Sequence, residues 1–258
     1  GLGGSRDNNP YLGEHWAGRG YVVVFLQHAG SDEAVWKDAR PLEKMANMKK
    51  AASFENLQLR CEDVPAVIDL LEKWNRELGH LLKGRMDLTK IGMSGHSFGA
   101  VTTQAVMGQN FRRIEQPYLE KRLDAALLFS PSPPSVGDPA PAFSSVSIPC
   151  LLMTGTEDVS PIGNTSAADR LQVYPHLTAA PAWQVVFDGA NHGSFGQREG
   201  RLIEKQPTRY HSAILALSTA FWDAQLRDDR AAQAWLDGPA ARTVLDPKDQ
   251  WEKHKPKR

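Results

Sequence analysis

The chain of 258 residues is poor in the features that mark several specialised classes of protein. Its 30 Lys and Arg residues balance its 30 Asp and Glu residues, so the basic excess that a nucleic-acid partner requires is missing. The longest strongly apolar run, residues 21–26, is too short to span a bilayer. No signal peptide stands in the sequence as given. We therefore expect no nucleic-acid partner and no membrane span.

Cysteine and metal-ligand patterns are equally sparse. Of the two cysteines, Cys61 lies in a helical pattern and Cys150 in an apolar strand, so two buried thiols are favoured over a disulfide. No cluster of His, Cys, Asp and Glu has metal-ligand spacing, so we expect neither a metal nor a cofactor. The oligomeric state stays open. So does the compartment, which would be secreted or periplasmic if a leader has been removed and cytoplasmic otherwise.

Short apolar runs alternate with helical patterns along the chain. The predicted strands are residues 21–27, 88–93, 125–129, 150–154 and 183–187. The predicted helices are residues 11–17, part of 33–50, 62–78 with Pro65 in the first turn, 100–107 and a closing helix around residues 214–222. Beyond residue 227 the chain is polar, with Trp235, Leu236 and Trp251 as anchors. This alternation predicts one α/β domain whose mostly parallel sheet has helices on both faces.

Residues 91–100 contain the pattern Gly95-x-Ser97-x-Gly99 between a predicted strand and a predicted helix. That context is typical of a nucleophile elbow, in which a serine on a very tight turn has a strained backbone and an exposed Oγ. A glycine is expected two residues to either side, because a Cβ there would collide with the neighbouring strand or helix. The pattern therefore predicts that Ser97 is a nucleophile.

A serine hydroxyl is a poor nucleophile at neutral pH, and it needs a histidine base that a carboxylate orients. Asp158 follows the fourth predicted strand and His192 the fifth, which gives the chain order serine, acid, histidine. Because the carboxyl ends of parallel strands share one sheet edge, the three should converge. Alone, Asp158 could be a turn residue and His192 a surface histidine. Glu157 is expected to point away, and His96 to pack against its neighbours.

Five segments together resemble the α/β-hydrolase superfamily: residues 1–4 (GLGG), 28–32 (HAGSD), 95–99 (GHSFG), 155–158 (GTED) and 189–192 (GANH). The chain is most similar to the group of predicted dienelactone hydrolases, which in turn is similar to platelet-activating-factor acetylhydrolases and to cutinase-like polyester hydrolases. The resemblance runs over nearly the whole chain. It implies an α/β-hydrolase fold without a large lid, and a serine esterase with Ser97 as nucleophile, Asp158 as orienting acid and His192 as base.

Three differences separate the chain from these relatives. True dienelactone hydrolases use a cysteine nucleophile where this chain has Ser97, which argues against lactone cleavage. In the acetylhydrolases the acid follows the strand next after the elbow, but here that strand ends in Phe129 and Ser130, so the acid must be Asp158. Relatives also have a strand and a His-Gly pair before the glycine loop. The chain is therefore expected to be a single hydrolase domain, residues 1–258, that lacks its N-terminal strands.

The expected activity is hydrolysis of a carboxylic ester through an acyl-enzyme intermediate. No lid insertion separates residues 129 and 150, so the substrate should be small or extended, with a short acyl group. A polyester or a phospholipid acetyl ester are the alternatives among enzymes. The alternative outside enzymes is a hydrolase fold that serves only as a binding or scaffold module.

An ester hydrolase also needs two backbone N–H groups at the developing oxyanion. Phe98 should supply one, and the resemblance to the acetylhydrolases implies Leu2 for the other, with residues 28–31 next in line. A frayed terminus is the alternative for the glycine loop. His28, Ser130 and Phe195 are the expected substrate-binding side chains.

Overall fold

The computed structural model describes residues 1–112, 114–196 and 208–256. Its sheet has five strands, β1 (Ile91–His96), β2 (Leu123–Phe129), β3 (Cys150–Glu157), β4 (Ala182–Asn191) and β5 (Gln250–His254). Their spatial order follows the chain order. The first four strands are parallel, and β5 pairs antiparallel with β4 at one edge. The predicted α/β architecture with a mostly parallel sheet is confirmed.

Helices connect and cover these strands. The α-helices of the described residues are α1 (Pro10–Gly18), α2 (Pro41–Ala51), α3 (Phe54–Arg76), α4 (Phe98–Val106), α5 (Pro139–Phe143), α6 (Ala167–Arg170), α7 (Thr208–Leu226) and α8 (Arg230–Asp237). Short 3₁₀ helices lie at Glu33–Val35, Tyr174–His176, His192–Phe195 and Pro239–Val244. The helices predicted at residues 11–17, 100–107 and 214–222 correspond to α1, α4 and α7.

The two faces of the sheet pack against different helices. Leu127 and Leu151 are fully buried in the cluster that contains residues of α1, α7 and α8. Their chain neighbours Leu128 and Leu152 are fully buried in a cluster on the other face, together with residues of α4 and α5. Because side chains alternate across a strand, continuous apolar runs in β2 and β3 require cover on both faces.

The strand predicted at residues 21–27 is wrong. The segment has no regular secondary structure and pairs with no strand of the described residues. Val22 and Val24 are 51% and 41% exposed, although valine-rich runs are typical of buried strands. A strand exists only through its backbone partners, and β1, which forms one edge of the sheet, does not hydrogen-bond to this segment.

Helix α3 begins earlier than the sequence pattern predicts. Ser53 caps it by accepting a hydrogen bond from the backbone N–H of Asn56 (3.1 Å), so the helix starts at Phe54 rather than near residue 62. Pro65 therefore lies inside the helix, and the prediction that it occupies the first turn is wrong. The buried residues Leu57, Cys61 and Val64 attach this helix to α4.

The structure also tests the predictions about the apolar residues of the C-terminal segment and about the two cysteines. Leu236 is fully buried, and Trp251 lies on β5, an edge strand that the sequence analysis did not predict. Cys61 and Cys150 are both free and buried, as expected, and burial raises the pKa of each thiol to about 12. Within the described ranges, no helix combines the length and the apolar character needed to cross a bilayer.

Candidate functional site

Ser97 occupies the turn between β1 and α4. Its backbone angles are φ 58° and ψ −118°, in a region that residues other than glycine rarely adopt. Its N–H donates a hydrogen bond to the carbonyl oxygen of Phe129 (3.0 Å), which fixes the turn against the end of β2. A serine with a strained backbone between a strand and a helix is the local geometry that the elbow motif predicts.

The two glycines of the motif differ in how tightly they are packed. A Cβ added to Gly95 would lie 2.2 Å from the carbonyl oxygen of Gly99, so no side chain fits there. A Cβ added to Gly99 would approach nothing closer than 3.4 Å, an ordinary contact with the backbone of Gly1. The expected collision is therefore confirmed at Gly95 and wrong at Gly99, whose missing side chain would face a less crowded space.

We predict that Gly95→Ala is the most destabilising single methyl addition in this turn. The added Cβ meets backbone rather than a movable side chain, so we expect a loss of about 3 kcal/mol and a melting temperature lower by roughly 6–12 °C. Gly18→Ala is the matched control, because a Cβ on Gly18 would have no neighbour within 4 Å. Thermal unfolding of both variants gives the comparison, and equal melting temperatures would contradict the packing argument.

Asp158 and His192 meet at the carboxyl ends of β3 and β4. Nδ1 of His192 lies 2.7 Å from Oδ1 of Asp158, and Thr154 Oγ1 donates to the other carboxylate oxygen at 2.8 Å. Asp158 is completely buried. An ionised carboxylate only accepts hydrogen bonds, so Nδ1 carries the imidazole proton and Nε2 is left as an acceptor.

The environment of Asp158 keeps the carboxyl group ionised. Its burial would by itself raise the pKa. The hydrogen bond from His192 and the positive charge of Arg170 outweigh that effect and hold the pKa of Asp158 below its ordinary value. An ionised Asp158 is the form that fixes the tautomer of His192.

Glu157 and His96, the sequence neighbours of Asp158 and Ser97, have the positions predicted from the sequence. Glu157 is exposed to solvent, whereas Asp158 points inward. His96 is half-buried with its Nε2 atom buried, and its ring centroid lies 4.6 Å from that of His192. Burial first, and then the neighbouring His192, lower the pKa of His96 well below its usual range, so this ring stays neutral. A neutral ring can pack against His192 without charge repulsion.

Arg170 is a site residue that sequence reasoning missed. Its side chain is 1% exposed, and Nε lies 3.4 Å from Oδ1 of Asp158. Nη1 donates to the carbonyl oxygens of Ser130 (2.9 Å) and Pro131 (3.1 Å) and to Ser132 Oγ (2.6 Å). Arg170 ends the short helix α6, 12 residues after Asp158, and belongs to no sequence motif, so only the folded structure reveals it at the site.

The predicted hydrogen bond between His192 and Ser97 is not present in the structure. Within the part of the chain that the structure describes, no hydrogen bond to Ser97 Oγ is present, although Ser97 and His192 line the same cavity. Catalytic hydrogen bonds are often long without substrate and shorten when it binds. The prediction that His192 bonds to Ser97 therefore stays a prediction.

Only part of the expected substrate-binding set lies on the wall of this cavity. The cavity of about 2710 Å³ extends from Ser97 along the open edge of β1, and His28 lines it. Ser130 and Phe195 are completely buried, and neither is among the described residues that line the cavity. Ser130 has φ 54° and turns its carbonyl toward Arg170, which explains its position behind the wall.

A second charged cluster lies on the other side of the elbow. His28 Nδ1 is 2.7 Å from Asp63 Oδ2, and Arg60 donates to Thr102 Oγ1 (2.8 Å) and Ser31 Oγ (3.0 Å). Burial and the charge of Arg60 lower the pKa of His28 to about 4, against the opposing effect of Asp63. His28 is therefore neutral near pH 7 and presents a polar but uncharged side chain to the cavity.

The glycine loop at residues 1–4 lies against the elbow. A Cβ on Gly1 would be 3.1 Å from the carbonyl oxygen of His96. The loop is held by bonds from Gly3 N–H to the Ser31 carbonyl (2.8 Å) and from Trp36 Nε1 to the Gly3 carbonyl (2.7 Å). These hydrogen bonds hold the glycine loop in place. Leu2 and Phe98 both line the cavity.

No protein-family model matches the chain, and no curated protein is significantly similar to it in sequence.

Proposed function

We propose that the chain is a serine hydrolase of the α/β-hydrolase class that cleaves carboxylic esters through an acyl-enzyme intermediate. The observation that carries the proposal is the 2.7 Å contact between His192 Nδ1 and the buried Asp158, on the sheet edge where Ser97 has its strained backbone. A buried acid that orients a histidine, in the same cavity as a serine on a tight turn, is the arrangement that would activate a hydroxyl nucleophile.

In this reaction Ser97 Oγ attacks the ester carbonyl carbon while its proton passes to Nε2 of His192. The resulting imidazolium is stabilised by Asp158, which stays ionised. The tetrahedral intermediate collapses, the C–O bond to the alcohol breaks, and the alcohol leaves with the proton from His192. Water then repeats the same steps on the acyl-enzyme and releases the carboxylic acid.

The oxyanion of each tetrahedral intermediate needs donors that are already in place. We assign the backbone N–H of Phe98, directly after the nucleophile and at the start of α4, as one donor. The N–H of Leu2 is the proposed second donor, supported by the contact of the glycine loop with the elbow. Losing one such donor typically lowers the rate by about 10²–10³-fold.

The part of the cavity wall that is exposed beside the elbow suits uncharged esters. It contains neutral side chains such as Ser132, Pro133, Ile162 and the neutral His28. Arg60 and Arg170 also reach this wall, but both are buried and hydrogen-bonded within the protein. Between β2 and β3 the described chain contains one short helix, α5, so this stretch carries no lid-sized insertion. We therefore expect p-nitrophenyl acetate and other short acyl esters to react faster than long-chain esters in a series of increasing acyl length.

Covalent labelling by a fluorophosphonate tests this function directly. The expected result is one adduct per chain, formed when Ser97 Oγ attacks phosphorus and fluoride leaves, and located to Ser97 by peptide mass spectrometry. Ser97→Ala should remove the adduct. Ser94→Ala is the matched control, because Ser94 lies three residues earlier on β1 and lines the same cavity.

The outcomes separate the alternatives. Labelling of the wild type and of Ser94→Ala, but not of Ser97→Ala, supports the serine hydrolase. A folded wild-type protein that neither reacts with the fluorophosphonate nor hydrolyses p-nitrophenyl acetate refutes it and favours a binding or scaffold module. Faster release of products from a polyester film than from soluble short esters would select the polyester hydrolase among the enzymes.

A further inference from the structure

The buried guanidinium of Arg170 connects three loops at the carboxyl edge of the sheet. Its Nη1 atom reaches the loop after β2 through the carbonyl oxygens of Ser130 and Pro131. Its Nε atom lies 3.3 Å from the Asp158 carbonyl oxygen, after β3. Its Nη2 atom lies 3.4 Å from Nδ1 of His192, after β4. One planar cation therefore contacts the loops that follow β2, β3 and β4.

We propose that Arg170 is a positioning residue for ester hydrolysis, which holds Asp158 and His192 in register and opposes protonation of His192. The proposal rests on the hydrolase function proposed above. Arg170 touches neither the substrate nor the reacting atoms in this scheme, and it acts only through the acid and the base.

This role depends on the positive charge of Arg170, which is buried and is only partly compensated by the groups around it. Moving a guanidinium out of water is costly, and bonds to neutral carbonyl oxygens return only part of that cost. The carboxylate that pairs with Arg170 among the described residues is Asp158, at 3.4 Å from Nε, and it is already bound to His192. A purely structural clamp would need only the hydrogen bonds. The positive charge has a further effect because it lies beside a histidine that must be neutral to accept a proton.

The contact of Nη2 with His192 is electrostatic rather than a hydrogen bond. Nδ1 of His192 carries a proton toward Asp158, so Nη2 faces a donor and not an acceptor. An imidazolium at this place would have a full positive charge 3.4 Å away. Among the described residues, the other titratable groups in contact with His192 are Asp158, which favours the imidazolium, and His96, which is neutral and packs against the ring.

Three variants measured against pH test the proposal. Arg170→Gln removes the charge and keeps an amide donor, so we expect kcat to fall about 10–100-fold and the acidic limb of kcat/KM to move up by about one pH unit. Arg170→Lys keeps the charge and loses the planar fork, so kcat should fall at least tenfold with little change in KM or in the acidic limb. Arg122→Gln is the matched control, since that arginine binds Asp69, Glu72 and Glu120 away from the site.

A folded Arg170→Gln variant with an unmoved acidic limb overturns the proposal, whether kcat falls or not, because a merely structural role would leave the limb in place. If Arg170→Gln does not fold, the lysine variant decides. A tenfold loss in kcat at constant KM supports positioning. Wild-type kinetics, or a loss that appears only in KM, overturns it.

A proton NMR measurement, which does not depend on catalytic turnover, tests the role of Arg170 separately from the hydrolase function. The proton between His192 Nδ1 and Asp158 should give a resolved downfield signal in the proton NMR spectrum. We expect its pH midpoint to move upward in Arg170→Gln relative to the wild type and to Arg122→Gln. An inactive wild-type protein would refute ester hydrolysis while this comparison still tests Arg170, and equal midpoints in all three proteins would overturn its electrostatic role.

Discussion

Turnover of p-nitrophenyl acetate is expected to fall about 10⁶-fold in Ser97→Ala, with a residual rate above that of the uncatalysed reaction. The variant lacks the Oγ that would form the acyl-enzyme, but it keeps the cavity and the proposed oxyanion donors. The fold should be little affected, because the Ser97 side chain makes no capping hydrogen bond to α4. The measurement is kcat from initial rates, together with thermal unfolding of each protein.

Two controls make this loss specific. Ser94→Ala should keep activity within a few-fold of the wild type, since its hydroxyl has no role in the proposed reaction. The melting temperature of Ser97→Ala should match the wild type within about 2 °C, as for other substitutions that disturb no packing. A loss of less than tenfold in Ser97→Ala would show that another nucleophile, or another protein in the sample, hydrolyses the ester.

Asp158→Asn is expected to lower kcat by about 10⁴-fold at pH 7. Oδ1 of Asp158 receives the Nδ1–H of His192, and Oδ2 receives the Thr154 hydroxyl. An asparagine amide has one oxygen for these two donors. Where its NH₂ group faces His192, the ring must take the Nε2–H tautomer, which cannot accept the proton of Ser97. Where it faces Thr154, the hydroxyl loses its acceptor.

The same substitution should also cost stability, by about 1–3 kcal/mol, because a completely buried donor would remain unpaired. Glu157→Gln is the matched control, since Glu157 is adjacent in sequence but exposed. It should leave kcat and the unfolding midpoint nearly unchanged. Near-normal activity in Asp158→Asn, with the loss in Glu157→Gln instead, would move the acid by one residue.

Short-range patterns predicted the parts of the site that depend on one strand and the turn after it. The spacing of Gly95 and Ser97 reports a steric need that is purely local, and the structure has no room for a Cβ on Gly95. The apolar runs before Asp158 and His192 are strands that must be buried on both faces, and parallel strands bring the residues after them to one edge. The sequence alone therefore predicts that Asp158 and His192 lie close together.

Such patterns could not predict which distant segments of the chain pair as β-strands. Residues 21–27 have the composition of a buried strand, yet their backbone pairs with no strand of the described residues. Residues 250–254 have an ordinary polar composition, yet they form the antiparallel edge strand β5 against β4. Composition reports how well a residue suits a pleated, half-buried surface, whereas strand formation depends on which backbone is available beside it.

The amino-acid sequence by itself predicted the four parallel strands, the helices α1, α4 and α7, the tight turn at Ser97 and the chain order Ser97, Asp158, His192. Only the tertiary structure decided that Ser130 and Phe195 lie behind the cavity wall, that β5 completes the sheet, and that Arg170 supplies the cation beside Asp158 and His192. The physical reason is the distance along the chain over which each effect acts. Steric clashes and side-chain periodicity act over a few residues. A buried charge is placed by desolvation and by hydrogen bonds to groups that are distant in the chain.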